Sequence, residues 1–311
     1  MKLRVLILKK RTVYYTLLSA VSVLIIIIFF VCRSSSATFS IKSENLIKKA
    51  DLTGDGKEDI LYIKVNDSDY SIQISTEDRS IVLEPDKGMK KLGTFCSYWP
   101  MHITLLDITK DGVPEIFTQA SSDGLPVIHV FKWTGDGFKD IYYSECNILG
   151  FTDSRNNRTP KVIAGNMKDS KIALENYYFS DNNLQKFEYT VKNNTAGENT
   201  ISSFVKIIEH LPQVEDDKYC DLFSPKININ NVSAVKKLID EKNKYTFEDA
   251  VFKDTKWNKS GEITEIQWTL NFKGVSLSDE KNIKNYSLLM ALIPQKSNGT
   301  VNFKIYTVKL I

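Results

Sequence analysis

The ten residues Asp51–Ile60, DLTGDGKEDI, return 56 positions later as Asp107–Ile116, DITKDGVPEI. A chain that repeats itself at such a distance is committed to stacking copies of one supersecondary unit. The frame matches Asp51 to Asp107, Thr53 to Thr109, Asp55 to Asp111, Gly56 to Gly112, Asp59 to Glu115 and Ile60 to Ile116. An eroded third copy follows at residues 153–163, DSRNNRTPKVI, with Asp153, Asn157, Pro160 and Val162 in register and Arg155 and Lys161 in two of the acid positions. The third copy is expected to keep the shape of the repeat and to have lost any divalent ion.

Carboxylates crowded to about 4 Å repel by roughly 1 kcal/mol per pair even in water, so each acidic loop either holds a cation or splays its acids into solvent. Calcium takes six to eight oxygen ligands, which acids at alternate positions of a tight loop can supply. The candidate set in the first loop is Asp51, Thr53, Asp55 and Asp59 through side-chain oxygens and Lys57 through its carbonyl. The second set is Asp107, Thr109, Asp111 and Glu115, with the carbonyl of Val113. Glycines 54 and 56 let the backbone curl around an ion. An EF-hand is excluded, because the twelfth loop position holds Tyr62 in one copy and Thr118 in the other, and a strand pattern follows each loop.

These loops resemble those of the FG-GAP and VCBS-type repeats over residues 45–165. The resemblance implies β-propeller blades with Ca2+ held between strands, in a bacterial surface protein. Two clear copies and one degenerate copy make about three blades, whereas closed propellers typically need four to eight, so an open stack stands beside a ring as an expectation. The family's Asp or Asn at the third loop position is Thr here, which implies weaker sites. WTGDGFKD, residues 133–140, lacks the preceding acid and reads as a hairpin turn.

Short strand patterns separated by Gly, Asp, Asn and Ser clusters fill residues 40–192, with no helical periodicity. A polar run at 192–199 suits a linker. Beyond it, Ile201, Phe204, Val205, Ile208 and Leu211 are spaced as one face of a helix capped by Thr200 and ended by Pro212. A second helix fits residues 233–244, with Ser233 as cap and Val235, Leu238 and Ile239 inward. Long strand patterns follow, and in one of them Ile266, Trp268, Leu270 and Phe272 alternate onto one face. This order of elements is similar to that of NTF2-type domains. The expected fold is mainly β plus α+β: a β-propeller-like repeat domain at 38–192 and a helix-plus-antiparallel-sheet domain at 199–311.

Residues 12–32 carry no charge and would span about 31 Å as a helix, a membrane thickness. Five basic residues in the tail 1–11 place the N-terminus in the cytoplasm and the bulk of the chain outside. A cleaved signal peptide is the competing reading, with 35–37 as its small-residue site. In an oxidising compartment Cys96 and Cys146 could pair, or they and Cys220 could stay free thiols. The net charge of +3 owes more to that basic tail than to the rest of the chain, so no nucleic-acid footprint is expected. His102, His129 and His210 are isolated, and no hydrolase or phosphate-binding motif is present. The expectation is a membrane-anchored extracytoplasmic binding or scaffolding protein for a protein or carbohydrate ligand, with a surface hydrolase of cell-wall or polysaccharide substrates as the alternative.

Overall fold

Alternating apolar residues make the strands, and the strands come in fours. The computed structural model describes residues 47–153, 160–169, 171–187, 196–213, 220–227, 233–297 and 300–311. The first antiparallel meander is β1 (Ile47–Ala50), β2 (Asp59–Asn66), β3 (Asp69–Ser75) and β4 (Ser80–Val82), hydrogen-bonded in that order. Tyr70, Ile72 and Ile74 alternate inward along β3, as a half-buried strand requires. The second is β5 (His102–Leu106), β6 (Glu115–Ser122), β7 (Leu125–Trp133) and β8 (Phe138–Ser144), with the expected hairpin turn at 134–137. Every residue of β6 is buried, because this strand is covered on both faces.

A third meander, β9 (Ile148–Thr152), β10 (Lys161–Lys168), β11 (Lys171–Ser180) and β12 (Asn183–Phe187), does not stand alone. Its first strand pairs in parallel with β13 (Asn243–Trp257), which continues antiparallel through β14 (Ile263–Ser276), β15 (Ile283–Ser297) and β16 (Thr300–Leu310). The result is one eight-stranded sheet in the order β12-β11-β10-β9-β13-β14-β15-β16. The described residues are thus mostly β, with two α-helices and several open sheets. Hydrogen bonding within this sheet runs across the expected 192–199 linker, and Ile41–Ile311 form one compact unit.

The helices are α1 (Glu198–Glu209) and α2 (Ser233–Asp240). Ile201, Phe204, Val205 and Ile208 of α1 enter a core with Trp268, Leu270, Phe272, Phe252 and Ile148. Phe252 stacks on Trp268 at 4.3 Å between centroids, and the Trp268 indole N–H donates to Ala196 O at 2.9 Å. Two expectations need correction. Gly197, in a left-handed conformation, is the N-cap of α1, whereas Thr200 lies inside the helix and donates its hydroxyl to Phe303 O at 2.5 Å. In α2 Leu238 is buried with Ala234 and Val235 packs against the same core as expected, whereas Ile239 is 38% exposed.

Segment 83–101 clamps the first meander to the second. Thr94 N–H donates to Ser121 O at 2.7 Å and Tyr70 N–H donates to Gly93 O at 2.9 Å. Gly93 is obligatory there: its φ is +131°, and a Cβ would lie 2.7 Å from that of Ala120. The second and third meanders share a core of Phe117, Ile128, Val130, Phe151, Val162 and Leu184. Cys96 and Cys146 are free thiols. The apolar segment 12–32 lies outside the described residues, and among those residues no helix is long and apolar enough to cross a membrane.

Candidate functional site

Both acidic loops occupy the same place in their meanders, between the first and second strands: 51–58 joins β1 to β2 and 107–114 joins β5 to β6. The eroded copy begins at the same connection, from β9 to β10, although its residues 154–159 lie outside the described ones. Strand register agrees with the sequence frame, since Ile60 pairs with Ser75 and Ile116 with Phe131.

Each loop is folded by its own acids. In the first, Asp51 accepts from the N–H groups of Gly54 at 2.6 Å and Gly56 at 2.8 Å, and Asp55 accepts from Lys57 N–H at 2.8 Å. Such Asx turns are what short carboxylates favour in tight loops. Asp59, buried at the start of β2, accepts from Leu52 N–H at 2.8 Å and from the Thr53 hydroxyl at 3.2 Å. The left-handed φ values of +76° at Gly54 and +82° at Gly56 close the turn. Gly54 also packs against the second loop, where a Cβ would come within 2.6 Å of Val113. The candidate loops are therefore neighbours in space.

The second loop reproduces this pattern. Asp107 accepts from Gly112 N–H at 2.9 Å and Asp111 from Val113 N–H at 3.0 Å. Buried Glu115 accepts from Ile108 N–H at 2.9 Å and from the Thr109 hydroxyl at 3.2 Å. Lys110 takes the left-handed position that glycine holds in the first loop, with φ +58°. One difference changes the chemistry. Lys132 of β7 places its Nζ 2.6 Å from Asp111 Oδ2, 3.1 Å from Glu115 Oε1 and 3.3 Å from Thr109 Oγ1. Burial disfavours the ammonium, yet the hydrogen bond to Asp111 and the charge of Glu115 outweigh it and hold Lys132 above its ordinary pKa. Burial lifts the Glu115 carboxyl above its usual range even with Ile108 and Lys132 opposing. The partially exposed Asp111 is desolvated too, but the Lys132 hydrogen bond brings it below the ordinary value.

The first loop presents only oxygen donors, the set that a hard cation prefers. Among the described residues no group of three or more His, Cys, Asp or Glu side chains converges as metal ligands do, because the acids face backbone N–H groups. In the second loop the ammonium already stands among three of the four candidate side-chain ligands, so that donor set does not fit a divalent ion as it stands. Asp153, at the head of the third loop, accepts from Lys161 Nζ at 2.9 Å.

A buried polar cluster escaped the sequence reading. Asp249 of β13 accepts from the Trp99 indole N–H at 2.6 Å and the Asn271 amide at 2.5 Å, with His102 Nε2 at 3.8 Å. Burial raises the Asp249 pKa against the pull of His102, Asn271 and Trp99. All four side chains are buried, so the cluster ties the second meander to the C-terminal sheet and gives a substrate no approach. The usable signal was the Glu248-Asp249 pair in an apolar strand pattern. A bulge in β13 between Phe247 and Asp249 turns both acids inward, which alternation alone does not foretell. His129 is likewise packed, 2.9 Å from Asp140, and His210 is exposed against Lys206 O. A polar cleft of about 260 Å³ lined by Glu241, Asn243, Lys284 and Tyr286 holds a single carboxylate, hydrogen-bonded to Tyr286. Glycoside hydrolysis commonly needs two. No protein-family model matches the chain, and no curated protein matches it.

Proposed function

We propose that this chain is a membrane-anchored, extracytoplasmic binding or scaffolding protein, built on an incomplete propeller-like array of three blades and rigidified by calcium at the first acidic loop. The observation that carries the reading is the recurrence of an acidic loop at the same strand connection of successive meanders. The ion would be held by Asp51, Thr53, Asp55 and Asp59 with the carbonyl of Lys57, and it would supply charge compensation and stiffness, not chemistry. Segment 12–32 is the proposed anchor, and the open sheet faces are the proposed surface for a protein or carbohydrate ligand.

Extracellular modules bind calcium with dissociation constants of about 0.1 to 1 mM, so about 5 mM ion stabilises one site by roughly 1.1 to 2.3 kcal/mol. Thermal unfolding of the full chain in detergent should therefore shift upward by a degree or a few degrees between chelator and about 5 mM calcium, with magnesium far less effective. Asp55→Ala should abolish the shift while leaving the melting in chelator nearly unchanged. Equal midpoints in all three buffers would leave DLTGDGKEDI as a solvated turn. Protease added to wall-stripped cells should remove residues 33–311, and protection of that region would refute the topology.

A further inference from the structure

We infer that Lys132 is a resident cation that takes the place of the divalent ion in the second loop, so that the protein carries one calcium-dependent blade beside one whose cation is covalently built in. The inference rests on the calcium reading of the first loop for its contrast, but its own evidence is the position of the ammonium.

Three observations lead to it. The Lys132 side chain is only 15% exposed, and its Nζ meets Asp111, Glu115 and Thr109, which uses the three protons that an ammonium can donate. Its opposite side faces the Phe179 ring of the third meander, 5.4 Å from the centroid, which further confines it. A calcium ion would need the same oxygens at about 2.3 to 2.6 Å and could not share them with a positive charge.

Register then gives the contrast. Because Ile60–Ser75 and Ile116–Phe131 are equivalent pairs, the residue matching Lys132 in the first meander is Thr76. Thr76 is engaged locally, accepting from Arg79 N–H and donating to Arg79 O, both at 3.1 Å. Lys57 turns away from the first loop to Glu77. Asp51, Asp55 and Asp59 accept instead from loop N–H groups and the Thr53 hydroxyl. The third copy has its own internal cation by a different route: Lys161 replaces the final acid and pairs with Asp153, only 4% of whose side chain is exposed.

The test is calcium uptake by the full chain in detergent, measured by equilibrium dialysis at saturating ion. The native chain should take up one ion and Asp55→Ala none. Lys132→Thr, which installs the residue of the first meander, should take up two, and Lys132→Thr combined with Asp111→Ala should return to one. A native chain that binds two ions and loses one on Asp111→Ala overturns the inference. So does a folded Lys132→Thr or Lys132→Met chain that gains none. Should both lysine variants fail to fold, Asp111→Ala alone decides: unchanged uptake supports a resident ammonium, and loss of an ion refutes it. A native chain without calcium alongside a Lys132→Thr chain with one would uphold Lys132 and reject the calcium reading of the first loop.

Discussion

Glu248 and Asp249 stand side by side at the bulge of β13, and burial pushes the Glu248 carboxyl up to about 7, with Lys273 pulling it down and Asp249 pushing it further up. Lys273 is itself drawn over the Tyr98 ring at 4.5 Å, so it compensates Glu248 only in part. The folded chain therefore keeps a proton on Glu248 between its ordinary value of 4.5 and about 7 that the unfolded chain has released. This raised pKa contributes stability that is complete at the low end of that window and is lost as pH rises through 7. Glu248→Gln, a neutral mimic of the protonated acid, should match the native chain near pH 5. At pH 8 it should be the more stable by roughly 1 to 2 kcal/mol, once solvent screening is discounted. Thermal midpoints of the two chains across that range decide the matter, and parallel curves would mean that Glu248 is ionised throughout. At the acidic loops, the sequence showed the ligand-type residues and their frame but not Lys132. That lysine is 17 residues beyond Glu115 and reaches the loop only because β6 and β7 pair in the register Ile116–Phe131. Charge compensation between strands is a property of register, and one strand read alone does not contain it.

Among the elements, β9 bears one of the tightest approaches. Gly150 pairs with Ile163 of β10 on one side and Phe252 of β13 on the other, and a Cβ there would lie 2.1 Å from the Phe252 ring. The ring cannot retreat, because it is stacked on Trp268. Gly150→Ala should cost about 2 to 3 kcal/mol as overpacking and lower the urea midpoint accordingly. Gly137→Ala, in the β7–β8 turn where no atom lies within 4 Å, should stay within about 0.5 kcal/mol. Equal effects of the two changes would show that the Phe252 ring has room to move. Most elements were legible because their apolar periods are clear: Ile201, Phe204, Val205 and Ile208 mark α1, and the alternation from Ile266 to Phe272 marks β14. Boundaries and flanks were less so. Thr200 looked like a cap, yet Gly197 turns the chain with φ +84° where Leu292 and Phe303 crowd it, and that crowding is a long-range fact.

At the scale of the whole molecule, the parallel pairing of β9 with β13 was the least legible feature, because the two strands are nearly a hundred residues apart and neither carries a local signal for the other. It should make the repeats and the C-terminal sheet unfold together. Ile148 and Ile163 of the third meander lie in the same core as α1 and the C-terminal strands. Asp153 N–H donates to Asp254 Oδ2 at 2.7 Å, and the Gln119 amide donates to Ala250 O at 3.3 Å. Trp99 of segment 83–101 and His102 of β5 meet Asp249 and Asn271. Separating the repeats from the C-terminal sheet would thus expose a central strand edge and take Trp99 and His102 away from buried Asp249, leaving it only Asn271, a state with no compensating gain. Calorimetry of the full chain should show one transition whose calorimetric and van't Hoff enthalpies agree, as in two-state unfolding. Residues 38–192 and 199–311 expressed separately should each fail to unfold cooperatively. Mixing them under refolding conditions should restore the transition, because β9 and β13 then find each other. Two resolved transitions in the intact chain, or a C-terminal fragment that melts sharply alone, would mean that β14 to β16 and the helices suffice for the core and that β9 is only an added edge.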